Sequence, residues 1–215
     1  METARADSDA FEILKPPLES PGIPRKIVPP SHLSTLNSDI LILPGYGGSG
    51  PAHWQTLWEQ AHPEFRRVEE GDWDHPDCKE WVASLQSAVH VSGPNTILVA
   101  HSLACLQVVH WAIGASPTRL SVRGALLVAV PDPDAAVFPE VARSFGPVPT
   151  ARLPFPSLVV GSVNDPYATP AFTEACAEAW GSRLQSIGAA GHVNASSGLG
   201  RWDAGLKLLE ELKAV

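Results

Sequence analysis

TILVAHSLACLQVVHWA (Thr96–Ala112) contains two apolar runs of different period, separated by His101-Ser102. The first, Thr96–Ala100, is short, continuous and rich in β-branched residues, which is the pattern of a strand buried on both faces. The second, Leu103–Ile113, repeats at helical spacing. A serine at the join of strand and helix, with Ala100 and Ala104 two residues to either side, has the setting of a nucleophile elbow. There a sharp turn brings the strand and helix backbones together, so only small residues fit at those two positions. The string A-x-S-x-A departs from the usual G-x-S-x-G, and alone it also fits a plain polar break between two elements.

The chain on either side repeats the alternation. Ile40–Leu43 reads as a first apolar strand, followed by a glycine-rich turn and a helix from about Ala52 to His62. Phe65–Glu70 is a weaker strand and Asp77–Val91 a helix. Strands are predicted at Gly124–Val130, Ser157–Ser162 and Arg183–Gly188, and helices at Pro170–Trp180 and Trp202–Lys213. Short apolar strands separated by helices imply a parallel sheet covered on both faces, with ligands gathered at the strands' carboxyl ends. Residues 38–215 therefore read as one α/β domain. Residues 1–37 read as a proline-rich tail, in which Pro16, Pro17, Pro21, Pro24, Pro29 and Pro30 forbid regular helix. Two states suit it equally: an extended strip on the domain surface, or plain disorder.

Composition narrows the function. Of 215 residues, 44% are hydrophobic and 18% charged, as in a globular chain, and the net charge of −8 argues against a nucleic-acid partner. Cys78, Cys105 and Cys176 are odd in number and scattered, which suits reduced thiols in the cytoplasm better than disulfides or zinc. No HxH or HExxH spacing suggests a metal, and nothing calls for a cofactor. The first residues lack the apolar core of a signal peptide, and no run reaches membrane-spanning length.

A serine hydroxyl becomes a useful nucleophile only when a histidine, oriented by an acid, removes its proton. On this type of sheet the chain order is Ser, Asp or Glu, His. Asp165 follows the fifth strand in GSVNDPYATP, where Pro166 keeps it out of helical geometry, and His192 follows the sixth in GAAGHVNASSG. Both fall on the sheet edge that carries Ser102. The developing oxyanion needs backbone N–H donors: Leu103, at the head of its helix, and Tyr46 in the loop LPGYGGSGPAHW, with Gly47 as runner-up. That loop also resembles a phosphate-binding turn, but it has neither the G-x-G-x-x-G register nor a Walker lysine. Gly47, His53, Trp54 and Phe138 are candidate substrate contacts. For His53 helix capping is the competing role, and for His101 packing is favoured.

LPGYGGSGPAHW, Asp72-Trp73 with Trp81, VAHSLA, GSVNDPY and AGHVNASSGLGRWDAG together resemble the small serine-hydrolase family of the retinoblastoma-binding-protein-nine and bacterial YdeN type. The resemblance spans most of Ile40–Leu212. It implies a compact α/β-hydrolase fold without a large cap, a mainly parallel six-stranded sheet of order 2-1-3-4-5-6, and a Ser102–Asp165–His192 triad. Ala104 stands where that family usually carries glycine.

The expected activity is hydrolysis of small or short-acyl carboxylic esters through an acyl-enzyme on Ser102. The segment Pro131–Pro156 is too short for a deep lipid-binding cap, and Val137, Phe138 and Phe145 are expected at the entrance, with Trp54 and Tyr46 opposite. Amidase and thioesterase chemistry use the same triad. A non-catalytic scaffold, docking a protein partner through the tail, is the alternative outside catalysis.

Overall fold

The computed structural model describes residues 38–114 and 122–214. The proline-rich tail, residues 1–37, lies outside the described residues. Six strands form one sheet: β1 (Ile40–Leu43), β2 (Phe65–Arg67), β3 (Ile97–His101), β4 (Gly124–Val128), β5 (Ser157–Gly161) and β6 (Arg183–Ser186). Their order is β2-β1-β3-β4-β5-β6, and every neighbouring pair is parallel. Four α-helices lie between strands, α1 (Trp54–Ala61), α2 (Cys78–Ser92), α3 (Leu103–Gly114) and α4 (Pro170–Trp180), and a fifth, α5 (Asp203–Lys213), follows β6.

Side chains alternate across the sheet, as the pleat requires. Leu41, Leu43, Leu98, Ala100 and Leu127 face a core layer built with α2, α3 and α4. Ile40, Ile42, Val99, Leu126 and Val160 face the other layer, with Trp54 and Trp58 of α1 and Leu209 and Leu212 of α5. The central strands are buried on both faces, which is why they read as continuous apolar runs.

The elements differ from expectation mainly at the edges of the sheet. β2 stops at Arg67 rather than Glu70, because the chain leaves the sheet there and Glu70 turns inward to Gln107 of α3. β6 is exposed at all four positions, as an outermost strand can be. Between β4 and β5 no cap domain is inserted; a short 3-10 helix, Glu140–Phe145, crosses instead. Phe145 is fully buried against Trp81, ring centroids 5.4 Å apart, so it belongs to the core and not to an entrance. Val137 is 56% exposed and forms no part of the cavity wall. No helix among the described residues is long and apolar enough to cross a membrane.

Candidate active site

Ser102 follows β3 in a left-handed conformation, φ 55°. Its N–H still donates to Val128 O of β4 at 2.9 Å, and the following residue opens α3. Such a φ is costly outside glycine, and here it turns the hydroxyl off the strand end. Ala104 is fully buried in the core on the α3 side, so its methyl is accommodated and the bend forms without glycine. The close approach falls instead at Gly45, in the loop after β1. A Cβ there would stand 2.9 Å from both His101 O and Ser102 Cβ, and 3.3 Å from Leu103 N.

Three side chains from three strand ends meet. His192 Nε2 lies 2.7 Å from Ser102 Oγ, and its Nδ1 lies 2.9 Å from both carboxylate oxygens of Asp165. The His192 and Asp165 side chains are 8% and 3% exposed, so their hydrogen bond is shielded from water. Asp165 Oδ1 also accepts the N–H of Tyr167 at 2.9 Å, which fixes the carboxylate, and the Tyr167 ring packs on His192 with centroids 4.5 Å apart.

The loop carrying His192 is held from two sides. Beyond β5, Ser162 Oγ accepts from Ala190 N at 2.9 Å and Asn164 Oδ1 from Gly191 N at 2.7 Å. From the other face, the Trp54 indole N–H donates to Val193 O at 2.8 Å. Val193 is β-branched and sits at φ 49°, a conformation that persists only when its surroundings enforce it. Trp54 is 1% exposed and packed edge-to-face against Trp58 and Trp202. It is therefore an anchor behind the site and not a substrate wall, contrary to the sequence expectation. Trp58 Nε1 likewise donates to Arg201 O at 2.6 Å.

The cavity beside Ser102 has a volume of about 440 Å³. Tyr46, His53, Leu103, Phe138, Ala142 and Tyr167 are among the residues that line it. Gly47 does not: its N–H donates to Trp73 O at 2.9 Å, which also removes it as an oxyanion donor. Gly48 N–H is taken by Gly45 O at 3.0 Å, so of the Tyr46, Gly47 and Gly48 amides Tyr46 N–H is the one without an acceptor among the described residues. Leu103 N–H lies in the first turn of α3, where no intrahelical acceptor exists.

His53 takes both of the roles proposed for it. Its Nδ1 caps α1, accepting from Gln55 N at 3.2 Å, and its ring lines the cavity. Burial, reinforced by Arg67 and His192, pulls its pKa down to about 4, so it is neutral in ordinary buffers. His101 is buried too: its Nε2 donates to His192 O at 2.9 Å, and burial holds it well below the usual histidine range. Gln55 was not foreseen. It is fully buried, donates to Leu43 O of β1 and Val99 O of β3, and accepts from Ser49 Oγ at 2.6 Å, pinning the glycine-rich loop to two strands. No periodicity marks it, since a glutamine in a helix usually faces water.

Other chemistries find less support. All three cysteines are free and buried, and burial raises their thiols above the ordinary value, Cys78 to about 11 and Cys176 to about 12. Such thiols do not ionise near neutrality and are poor nucleophiles. Among the described residues no group of three His, Cys, Asp or Glu side chains is placed to hold a metal ion.

A family model described as Serine hydrolase matches residues 40–211 of the chain. Among solved structures, a YdeN-like hydrolase from Pectobacterium atrosepticum is 30% identical, over 81% of this chain and 90% of that one, with a TM-score of 0.72. The ydeN gene product from B. subtilis is 19% identical, over 83% and 100%, with a TM-score of 0.68. The type II thioesterase BorB from the borrelidin biosynthetic cluster is 18% identical, over 81% and 91%, with a TM-score of 0.56. The last two likenesses bear on the fold alone. No curated protein matches the chain significantly by sequence.

Proposed function

The chain belongs to the serine hydrolase family, and on that premise we propose that it cleaves small or short-acyl carboxylic esters through an acyl-enzyme on Ser102. The observation that carries this reading is the 2.7 Å contact of Ser102 Oγ with His192 Nε2, backed by Asp165 at 2.9 Å on the far nitrogen. His192 takes the hydroxyl proton as Oγ bonds to the ester carbon. Asp165 holds the imidazole in the tautomer that leaves Nε2 free to accept, and stabilises the cation that forms. The N–H groups of Leu103 and Tyr46 receive the oxyanion, and each such donor is worth about 10²–10³ in rate. Collapse expels the alcohol, which leaves with the proton from His192. Water then attacks the acyl-enzyme, giving its proton to His192, and the carboxylic acid departs as Ser102 is restored.

Cavity volume supports a short acyl group, since about 440 Å³ is at the small end for ligand sites. Phe138, Pro139 and Ala142 offer it an apolar floor. The reaction is assigned to the cytoplasm, in keeping with three free thiols, and its substrate to the small molecules. A series of p-nitrophenyl esters from acetate to decanoate tests the reading. The highest kcat/KM is expected at short chains, with all turnover lost in Ser102→Ala. Undiminished turnover in that variant, or a maximum at decanoate, overturns it.

A further inference from the structure

The turn that carries Tyr46 has little of its own to hold it in place. Gly45, Gly47 and Gly48 have no side chains, and the Tyr46 side chain is 46% exposed. Gly48 N–H closes the turn on Gly45 O at 3.0 Å, with Gly47 at φ 74°. That bond sets the shape of the turn but not its place beside Ser102. A preorganised donor must stay where negative charge develops, and a glycine-rich turn is free to drift. On one side Gly45 lies against the elbow, where a Cβ would stand 2.9 Å from Ser102 Cβ and 3.3 Å from Leu103 N. On the other side Trp73 grips the turn twice. Its carbonyl accepts Gly47 N–H at 2.9 Å, and its indole lies along Gly48, where a Cβ would meet the ring at 3.4 Å.

Trp73 belongs to no helix or strand, so no ladder of main-chain bonds aims its carbonyl. Asp72 does so instead. Its Oδ1 accepts the N–H of Asp74 at 2.8 Å and that of His75 at 2.9 Å, an Asx turn closed around Trp73. Trp73 C=O and Asp74 N–H belong to one planar trans peptide, in which the two bonds point in opposite directions. Holding the N–H on Asp72 therefore aims the carbonyl away from Asp72, towards Gly47. The indole is seated in turn on Trp81, with ring centroids 5.6 Å apart. The Asp72 side chain is 53% exposed and lies outside the cavity lining, so replacing it disturbs this turn without opening the core.

We propose that Asp72 is a positioning residue for the hydrolysis: acting through the Trp73–Asp74 peptide and Gly47 N–H, it holds the Tyr46 N–H at the oxyanion. This rests on the ester-hydrolase reading above. It gives that reading a working part on the surface, outside the cavity.

Two substitutions separate the turn from the charge. Asp72→Ala removes the acceptor. Asp72→Asn keeps an oxygen that closes the same turn, but loses the carboxylate that faces His75 Nδ1 at 3.2 Å. Two quantities are read: kcat and KM for p-nitrophenyl acetate, and the inhibition constant of a short-chain trifluoromethyl ketone. Ser102 Oγ adds to the ketone carbon, its proton passes to His192, and the carbonyl oxygen becomes an anion, so this inhibitor reports on the oxyanion donors. In Asp72→Ala kcat should fall and the inhibition constant rise, each about tenfold, less than the 10²–10³ for deleting a donor outright. KM should stay within about twofold, as for an interaction made only in the transition state. Asp72→Asn should recover both losses. Wild-type values in Asp72→Ala overturn the proposal. So do equal losses in the two variants, which make the charge the cause, and a loss of kcat without a loss of inhibitor affinity. If Asp72→Ala does not fold, Asp72→Ser against Asp72→Asn carries the same comparison, because a serine hydroxyl closes such turns more weakly. Wild-type protein that neither cleaves the ester nor binds the ketone overturns the hydrolase reading itself, and this one with it.

Discussion

Glu70 offers a pH-dependent test of how the buried polar groups are satisfied. It follows β2, is only 9% exposed, and accepts from Gln107 Nε2 at 2.7 Å, while that amide also donates to Trp81 O at 2.6 Å. Glu70 Oε2 and Gln107 Oε1 are both buried with no donor among the described residues. A proton on the carboxyl supplies the donor that the pair lacks. Burial raises the Glu70 pKa to about 7 from an ordinary 4.5, against the pull of Gln107 and the nearby Ser84 hydroxyl and helped by Glu69. The folded state thus keeps a proton that the unfolded chain releases above pH 4.5. This stabilisation is complete below that value and is lost as pH rises through about 7. The interval from 4.5 to about 7 corresponds to about 3 kcal/mol. Glu70→Gln cannot ionise, and its amide can pair with Gln107 at any pH. In urea unfolding, the stability gap between Glu70→Gln and wild type should widen by about 2.5 kcal/mol between pH 5 and pH 8.5 in favour of the variant. That is about 1 M in the urea midpoint. Every other titrating group is common to both proteins and cancels. A gap that is the same at both pH values would refute the reasoning.

Two further predictions concern how the site is held. Gly45→Ala forces a methyl against His101 O and Ser102 Cβ, both 2.9 Å away, where backbone must move. Displacing the elbow should lower kcat by about 10²-fold with cooperative unfolding retained, and a near-wild-type kcat would show that the loop absorbs the change. Trp54→Phe keeps a large ring but leaves Val193 O without the 2.8 Å bond that holds the segment after His192. Its kcat should fall about tenfold and its stability by about 1–3 kcal/mol, and unchanged kinetics would sever Trp54 from the His192 loop.

The central strands and the order of the elements were legible because short, continuously apolar runs alternating with helical segments are the pattern of a parallel sheet covered on both faces. The positions of Ser102, Asp165 and His192 after three strands could be read from chain order together with the rule for carboxyl ends. The roles of Trp54 and Gly47 could not. A tryptophan beside a glycine-rich loop suits a cavity wall and a core anchor alike, and only the Val193 contact distinguishes them. A flexible glycine looks like a free donor until Trp73 O is found on its N–H. Ala104 taught the converse: the position that looked tight is comfortable, and the tight approach lies across the sheet at Gly45. Gln55, Ser162 and Asn164 stabilise the site through bonds to backbone distant in sequence, and no local pattern announces such bonds.

Covalent labelling of Ser102 reaches the centre of the account most directly. Folded wild-type protein treated with a fluorophosphonate should gain one adduct per chain by intact mass, mapped to Ser102. Ser102→Ala should gain none, and His192→Ala should label far more slowly, because the hydroxyl at 2.7 Å from Nε2 has lost its base. Folded wild-type protein that takes up no adduct, or an adduct that survives Ser102→Ala, would contradict the assignment of Ser102 as an activated nucleophile.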